Sequence, residues 1–321
     1  MTQPLKKVLL LALPASGKSE VRRYLHNLTP TQSKEDFHMG PTVQIDDFPY
    51  VHIMRRVDEE LEKSGQNRLY FGAEGDTFQD KRDWGTLIQL LNEDYADLVN
   101  KKSWALEHCA KAMMQRLSKA AEAVGIPPRL TTEQQEPILN ALEPECRQLL
   151  EDKNTNIPDT LEGKTLVIEF ARGGPDGSAM PLAEPHGYQY SLSQLSDDIL
   201  HDASILYIWV TPEESRRKNE ARTDPNDPGS ILHHGVPLKV MLDEYGCDDI
   251  DWLEQASTKP GTIELKVREK CFYLPIARFD NRVDKTSFIR DEPADWKPED
   301  VNLIHTGLKN ALDHLSQSQA N

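Results

Sequence analysis

Cysteine, positive charge and long hydrophobic runs are all scarce in this 321-residue chain, and each scarcity removes a class of protein. The four cysteines, Cys109, Cys146, Cys247 and Cys271, are far apart and form no CxxC pair. That argues against a zinc knuckle and against a disulfide-stapled secreted domain, so reduced thiols in the cytoplasm are the expectation. Lys and Arg number 37 against 53 Asp and Glu, a formal charge of −16. Such a field repels phosphate backbones and anionic lipid except where basic residues concentrate, which disfavours polymeric nucleic acid as a partner without excluding it. No stretch approaches transmembrane length, so no membrane partner is expected. The apolar run after Lys6 and Lys7 is also shorter than a secretory h-region.

What is present is ordinary globular composition, 38% hydrophobic and 28% charged, enough for one large or two modest domains. The run at 8–12 is continuously apolar, as in a strand covered on both faces, and similar short apolar runs at 42–45, 165–170, 204–210 and 271–276 have the character of core strands. Helical patterns lie between them, which predicts an α/β fold with parallel pairing. A closing helix begins near Pro298 and carries a stripe of Val301, Ile304, Leu308, Leu312 and Leu315, with a frayed polar tail over 317–321. Between the second and third strands lies a long helical stretch. Trp84, Leu87, Leu91, Tyr95 and Leu98 form one stripe, and Leu106 to Val124 another after a Ser103 N-cap. Gly125 with Pro127 and Pro128 stops the latter, and a third helix over 133–150 opens on Thr132 with Gln135 in capping-box spacing. The chain thus divides into a core of 1–48 and 164–321 and a helical insertion or cap of 49–163.

The first strand leads into Leu13-Pro14-Ala15-Ser16-Gly17-Lys18-Ser19 and then a helical pattern. Strand, loop and helix in that order read as a phosphate-binding loop for a nucleoside triphosphate. The loop of Pro14, Ala15, Ser16 and Gly17 wraps phosphate, the backbone N–H groups after Pro14 converging on its oxygens, Lys18 neutralises the outer phosphates, and the Ser19 hydroxyl ligates Mg²⁺. The first position of GxxxxGK[ST] holds Ala12 instead of Gly.

At the end of the second strand stand Asp46 and Asp47, followed by Phe48-Pro49-Tyr50. Ligands of open α/β sheets bind outside the carboxyl ends of strands. Mutual repulsion and burial raise a carboxylate pKa, which equips either aspartate as a base toward a hydroxyl; the alternative is a solvated helix N-cap.

The loop together with Asp46-Asp47-Phe48 resembles the P-loop kinases of small molecules, in particular uridine kinase, nicotinamide riboside kinase and pantothenate kinase. The resemblance covers the sheet core and leaves the insertion unexplained. It implies a five-stranded parallel sheet of order 2-3-1-4-5, flanked by helices, in which the third strand lies beside the loop strand and the Asp pair one strand spacing, about 4.8 Å, beyond. On that arrangement Glu169 approaches the metal and Arg172 the transferring phosphoryl or the acceptor, an ordinary salt bridge being the alternative for both. The resemblance further implies a lid after the fourth strand, with Arg222 the preferred lid arginine and Arg216 and Arg217 next. Glu213 with Arg217 and Glu214 with Lys218 stand at i,i+4 spacing. Asn281, after the fifth strand, falls where such kinases contact the base, or else is a turn residue. His233 and His234 lack a third metal ligand at a recognisable spacing. Tyr50, Arg55 and Arg56, at the junction with the insertion, are expected to line the acceptor pocket or to be ordinary first-turn residues.

The combined expectation is a Mg²⁺-dependent kinase moving the γ-phosphoryl of ATP or GTP to a hydroxyl of a small molecule, nucleoside-like or vitamin-like, with Asp47 or Asp46 as base. A polynucleotide or RNA-end 5′-hydroxyl kinase and an NTP-driven switch or assembly protein are the competing readings.

Overall fold

Strand β1 (Lys7–Leu11) is apolar and buried from Val8 onward because both of its faces are covered. Leu9 and Leu11 point into one core with Ile168, Phe170, Ile205 and Tyr207, while Val8 and Leu10 point into another with Val167, Leu206 and Phe279. A computed structural model describes residues 4–73, 75–222 and 235–319. After β1 come α1 (Lys18–His26), α2 (Pro30–Phe37), β2 (Thr42–Asp46), α3 (Phe48–Lys63), α4 (Asp83–Asn100), α5 (Cys109–Ala123), α6 (Thr132–Asn156) and β3 (Thr165–Phe170). The second half contains α7 (Gly187–Gln194), α8 (Asp197–Leu200), β4 (Ala203–Trp209), α9 (Pro212–Arg222), α10 (Leu238–Asp243), α11 (Ile250–Ala256), β5 (Thr262–Val267), β6 (Lys270–Asp280) and α12 (Pro298–Gln319). No described helix is long and apolar enough to cross a membrane.

The sheet has six strands in the order β2-β3-β1-β4-β6-β5. This corrects the expected five-stranded, all-parallel sheet: β5 pairs antiparallel with β6 at the edge, whereas the other four pairings are parallel. The hairpin turns through Arg268 and Glu269, both left-handed with φ of 49° and 60°. A two-residue hairpin turn of this kind ordinarily carries Asn-Gly or Asp-Gly, and Arg-Glu gives no such cue. The neighbours of β1 are β3 and β4.

Helices α3 to α6 enclose a further apolar core around Ile53, Met54, Leu87, Met113, Leu142 and Leu150. Helix α4 is shared: Trp84, Leu87 and Leu90 face that core, and Ile88, Leu91 and Leu98 face the sheet. Several expected boundaries move. Helix α5 starts at Cys109, not after Ser103, because the Asn154 side chain bonds both backbone groups of Trp104, at 2.7 and 2.8 Å, and holds it outside the helix. The Glu143 carboxylate then caps α5 by accepting from the N–H groups of Cys109 and Ala110. The capping box of α6 is Thr131 with Gln134, one residue earlier than the expected pair. Helix α12 runs on to Gln319, through most of the tail expected to fray.

Behind β4, the buried Tyr207 hydroxyl donates to Asp248 Oδ2, and the Ile250 N–H donates to Oδ1 at 3.0 Å. Burial, reinforced by Asp249 and Asp251, outweighs these bonds and pushes the Asp248 carboxyl up to about 6. The folded state therefore keeps this proton where the unfolded chain releases it, so the group's contribution to stability falls as pH rises from about 4 to about 6. Asp248→Asn is expected to stabilise the fold by about 1–2 kcal/mol near neutral pH and to change little below about pH 4. Thermal melts of both proteins at the two pH values check the sign.

Candidate functional site

The loop leaving β1 is held from below rather than by its own side chains. Ala12 donates its N–H to the Tyr188 hydroxyl at 2.9 Å and accepts from that hydroxyl at 2.8 Å, and the Arg172 N–H donates to the same oxygen at 3.2 Å. One buried phenol thus ties the ends of β1 and β3 together. Burial raises its pKa well above the usual tyrosine value, so it stays protonated. The loop then turns through two left-handed residues, Ala15 (φ 53°) and Gly17 (φ 103°). Gly17 is required here: a Cβ would lie 2.5 Å from Thr286 Oγ1 and 2.8 Å from Asn281 Nδ2. Ser215 Oγ donates to the Pro14 carbonyl at 2.7 Å and Asn281 Nδ2 to the Ser16 carbonyl at 2.6 Å.

Asn281 is consequently a brace of the loop and not a contact for a nucleobase. It is fully buried, also donates to Thr286 Oγ1 at 2.9 Å, and accepts from the Lys285 N–H. Nearby, Lys218 is buried against Asp284 at 2.9 Å, and Ser287 and Lys218 together hold the Asp284 carboxyl well below the usual range.

Residues Pro14 to Glu20, Asp46, Asp47, Glu169 and Arg172 all line a single cavity of about 460 Å³. Register explains the acids: Asp46 and Glu169 are paired positions of β2 and β3, and Glu169 is opposite Leu10 of β1. Arg22 of α1 reaches both, 3.5 Å from Asp46 Oδ2 and 3.3 Å from Glu169 Oε2. Burial first, then the Glu169 charge, raise the Asp46 carboxyl to about 6, with Arg22 opposing them. Asp46 Oδ1 accepts from the Phe48 N–H at 3.1 Å.

The two neighbouring aspartates do different things. Asp47 Oδ2 accepts from Arg172 Nη1 at 2.7 Å. That guanidinium, 2% exposed, also donates to Ser191 Oγ at 3.1 Å and to the carbonyls of Ala171 and Trp84 at 2.6 and 3.3 Å. Arg172 lines the cavity, and four of its five donors are engaged inside the protein, so its first role is the junction with Asp47 rather than contact with a phosphoryl group or an acceptor.

Helix α3 presents one face to the cavity: Phe48, Val51, His52 and Arg55, at i, i+3, i+4 and i+7, a single helical stripe. Of the three expected junction residues, only Arg55 is on it. Tyr50 points the opposite way, fully buried, its hydroxyl donating to both oxygens of Asp94 at 2.7 and 2.9 Å. Arg56 is occupied by Glu59, Glu60 and Glu145. The buried Asp58 accepts from the N–H groups of Leu69, Tyr70 and Phe71 and so sets Phe71 against the cavity, where Phe78 and Trp84 also contribute. Val236, Val240, Glu244 and Tyr245 complete the lining.

On α9, Arg216 lies 3.6 Å from Glu213 and Arg217 is bonded to Glu214, both at i,i+3 rather than the expected i,i+4, and neither arginine lines the cavity. Lys218 takes Asp284 in place of Glu214 as its ion-pair partner. The Arg222 side chain, the loop over 223–229 and His233 and His234 lie outside the described residues.

Glu169 Oε2 is buried and accepts no hydrogen bond, with Arg22 Nη1 3.3 Å away. Such an acceptor, beside the Ser19 hydroxyl on the same cavity wall, suits a hard cation that takes oxygen ligands. Among the described residues no group of three or more His, Cys, Asp or Glu forms a metal cage of its own. No model of a protein family matches the chain, and no curated protein matches it.

Removing the Asn281 brace leaves the Ser16 carbonyl and the Lys285 N–H without their buried partner, an expected cost of about 1–3 kcal/mol. Asn281→Ala should therefore lower the unfolding midpoint and speed amide exchange over residues 15–18 before it affects exchange in β1. Hydrogen exchange followed by mass spectrometry reads both.

Proposed function

We propose that this chain is a P-loop phosphotransferase, moving the γ-phosphoryl of ATP or GTP to a hydroxyl of a small acceptor. The observation that carries this reading is that the Lys18-Ser19 loop, the strand-end carboxylates Asp46 and Glu169, and the aromatic wall of the insertion share one cavity. A triphosphate needs the first of these, its accompanying cation the second, and an acceptor the third. On this reading the loop N–H groups and Lys18 hold the phosphates, and Ser19 and Glu169 would hold Mg²⁺. When bound, Mg²⁺ neutralises charge that develops on the phosphoryl oxygens.

Of the two aspartates, Asp46 is the better base: both line the cavity, but Asp47 is engaged by Arg172 in a buried ion pair. Asp46 accepts the acceptor's hydroxyl proton, Arg22 steadies the Asp46–Glu169 pair, and the α3 face with Phe71 and Phe78 keeps water from the phosphoryl group. A pure NTP switch would need a metal-holding acid such as Glu169 but no base toward an acceptor hydroxyl, since it transfers nothing to an acceptor.

Lys18→Ala is expected to abolish transfer and weaken Mg²⁺·ATP binding while preserving the fold, because the ammonium acts on phosphate charge. Calorimetric titration together with a melting curve checks this, and undiminished ATP affinity in the folded variant refutes the loop assignment.

The aspartates separate in a second comparison. Asp46→Asn should fold normally and lower turnover by about two to four powers of ten, the range for a lost general base. Asp47→Asn instead leaves a buried guanidinium without its counter-charge and should cost about 3 kcal/mol of stability or more. Turnover is to be measured as ATP-dependent phosphorylation across nucleosides, sugars, vitamins and 5′-hydroxyl oligonucleotides. ATP hydrolysis that yields no phosphorylated product and is indifferent to Asp46 would favour the switch instead.

A further inference from the structure

The sheet ends differently at its two edges. At β2 the side chain of Asn156, the last residue of α6, donates to the Gln44 carbonyl at 2.6 Å and closes part of that edge. Strand β5, at the other edge, has no such cover. The Ile276 N–H donates to the Gly261 carbonyl at 3.0 Å, which fixes the alternation of the β5–β6 ladder. The backbone groups of Ile263, Leu265 and Val267 therefore face β6, and those of Thr262, Glu264 and Lys266 point away from the sheet. Among the described residues, no group bonds to the outward N–H and carbonyl of Glu264 or Lys266. Such an edge is a template for one more strand.

The edge is also held in shape. Ile263 and Leu265 are buried against α7 and α11. Arg268 staples the hairpin turn by donating to Asp197 at 2.6 Å and to the carbonyls of Ser193 and Leu195, both at 2.8 Å. A strand ordered before it meets a partner loses little freedom on pairing. On the opposite face from Ile263 and Leu265, Glu264 Oε1 accepts from Lys266 Nζ at 2.9 Å, and Oε2 accepts from the N–H and the hydroxyl of Thr258. Lys266 and Thr258 hold the Glu264 carboxyl at about 2, so it is ionised at any ordinary pH. The Lys266 side chain, 76% exposed, keeps most of its surface free.

We propose that two copies of this chain associate through β5, antiparallel about a two-fold axis at Leu265, and so continue the sheet across both subunits. Charge selects the partner and the register. An axis at Glu264 would set two carboxylates face to face, and an axis at Lys266 two ammoniums, both unfavourable. An axis at Leu265 sets each Glu264 opposite Lys266 of the second copy and lets those same residues exchange backbone hydrogen bonds. The four charges then alternate in sign around the axis, so each acid has a base beside it and another across from it. The order acid, leucine, base is complementary to itself when reversed, which is why a second copy fits this edge. Neither charged residue lines the cavity, and association is independent of any phosphotransfer there.

Sedimentation velocity on the full chain tests this over about 1 to about 200 μM, the range suited to an interface smaller than the standard size. The chain should pass from monomer to dimer with concentration. Glu264→Lys and Lys266→Glu each set like charges opposite one another at both symmetric positions, and each should weaken association about tenfold or more. An equimolar mixture of the two variants should restore it, because one carries only positive and the other only negative charge at these positions. Circular dichroism melts establish that each variant is folded. Should Glu264→Lys not fold, Lys266→Glu is compared with Lys266→Arg, the first expected to weaken association and the second to leave it unchanged. A chain that stays monomeric over the whole range overturns the inference. So does a dimer indifferent to the charge reversals, or a mixture of folded variants that does not recover association.

Discussion

The Arg172 guanidinium is the interaction on which the site's architecture depends. From the end of β3 it reaches Asp47 at the start of α3, the Trp84 carbonyl at the start of α4, and Ser191 on α7. Three helices that begin in distant parts of the sequence are thereby fixed to one strand end. A planar group with five donors in a rigid fork can make such a junction, whereas a lysine with one rotatable ammonium cannot. The charge is buried, so its value is architectural more than energetic: replacing such a pair by apolar groups is often neutral, but removing one member is costly. The Trp84 ring beneath the guanidinium, 4.9 Å from its carbon, adds a further favourable contact.

This junction also divides labour between the adjacent carboxylates. Both carboxylates line the cavity, but Asp47 is bonded to Arg172, whereas Asp46 keeps the company of Glu169 and Arg22. Burial first, and then repulsion from Glu169 in the paired strand position, make Asp46 hold its proton more tightly than an ordinary aspartate, and Arg22 only partly offsets them. An arrangement of this sort lowers the stability of the empty protein and favours whatever supplies positive charge or accepts a hydrogen bond in that place. That fits the proposed use of the cavity by a cation and a hydroxyl.

How much of this was legible in the sequence depends on distance along the chain. The run of β1, covered on both faces, and the mostly apolar strand at 165–170 announce themselves, because a run of apolar residues is a local property. The edge hairpin was not legible, since Arg268 and Glu269 adopt left-handed conformations that their side chains do nothing to advertise. The separate tasks of Asp46 and Asp47 were hidden too, because they are decided by an arginine 125 positions away. The cavity face of α3 was available and overlooked. Phe48, Val51, His52 and Arg55 repeat at helical spacing just after the acid pair, and that repeat shows why Tyr50 and Arg56 turn elsewhere. The bracing of the loop by Asn281 and Ser215 required tertiary knowledge, as both lie more than 190 residues from it.

The missing first glycine of the loop pattern has its explanation in the same tertiary contacts. Ala12 is fully buried, and its N–H and carbonyl are both taken by the Tyr188 hydroxyl. The backbone there carries no positive φ; the turn is made later, at Ala15 and Gly17. A residue that need not visit the left-handed region gains nothing from being glycine and avoids the extra conformational entropy glycine loses on folding. The demand is instead transferred to Ala15, whose φ of 53° is unusual for a residue with a Cβ. The conformation is sustained because the carbonyls on either side, Pro14 and Ser16, are each held by a buried side chain from another element. The loop's shape is thus set less by its own glycine content than by the phenol, hydroxyl and amide packed beneath it.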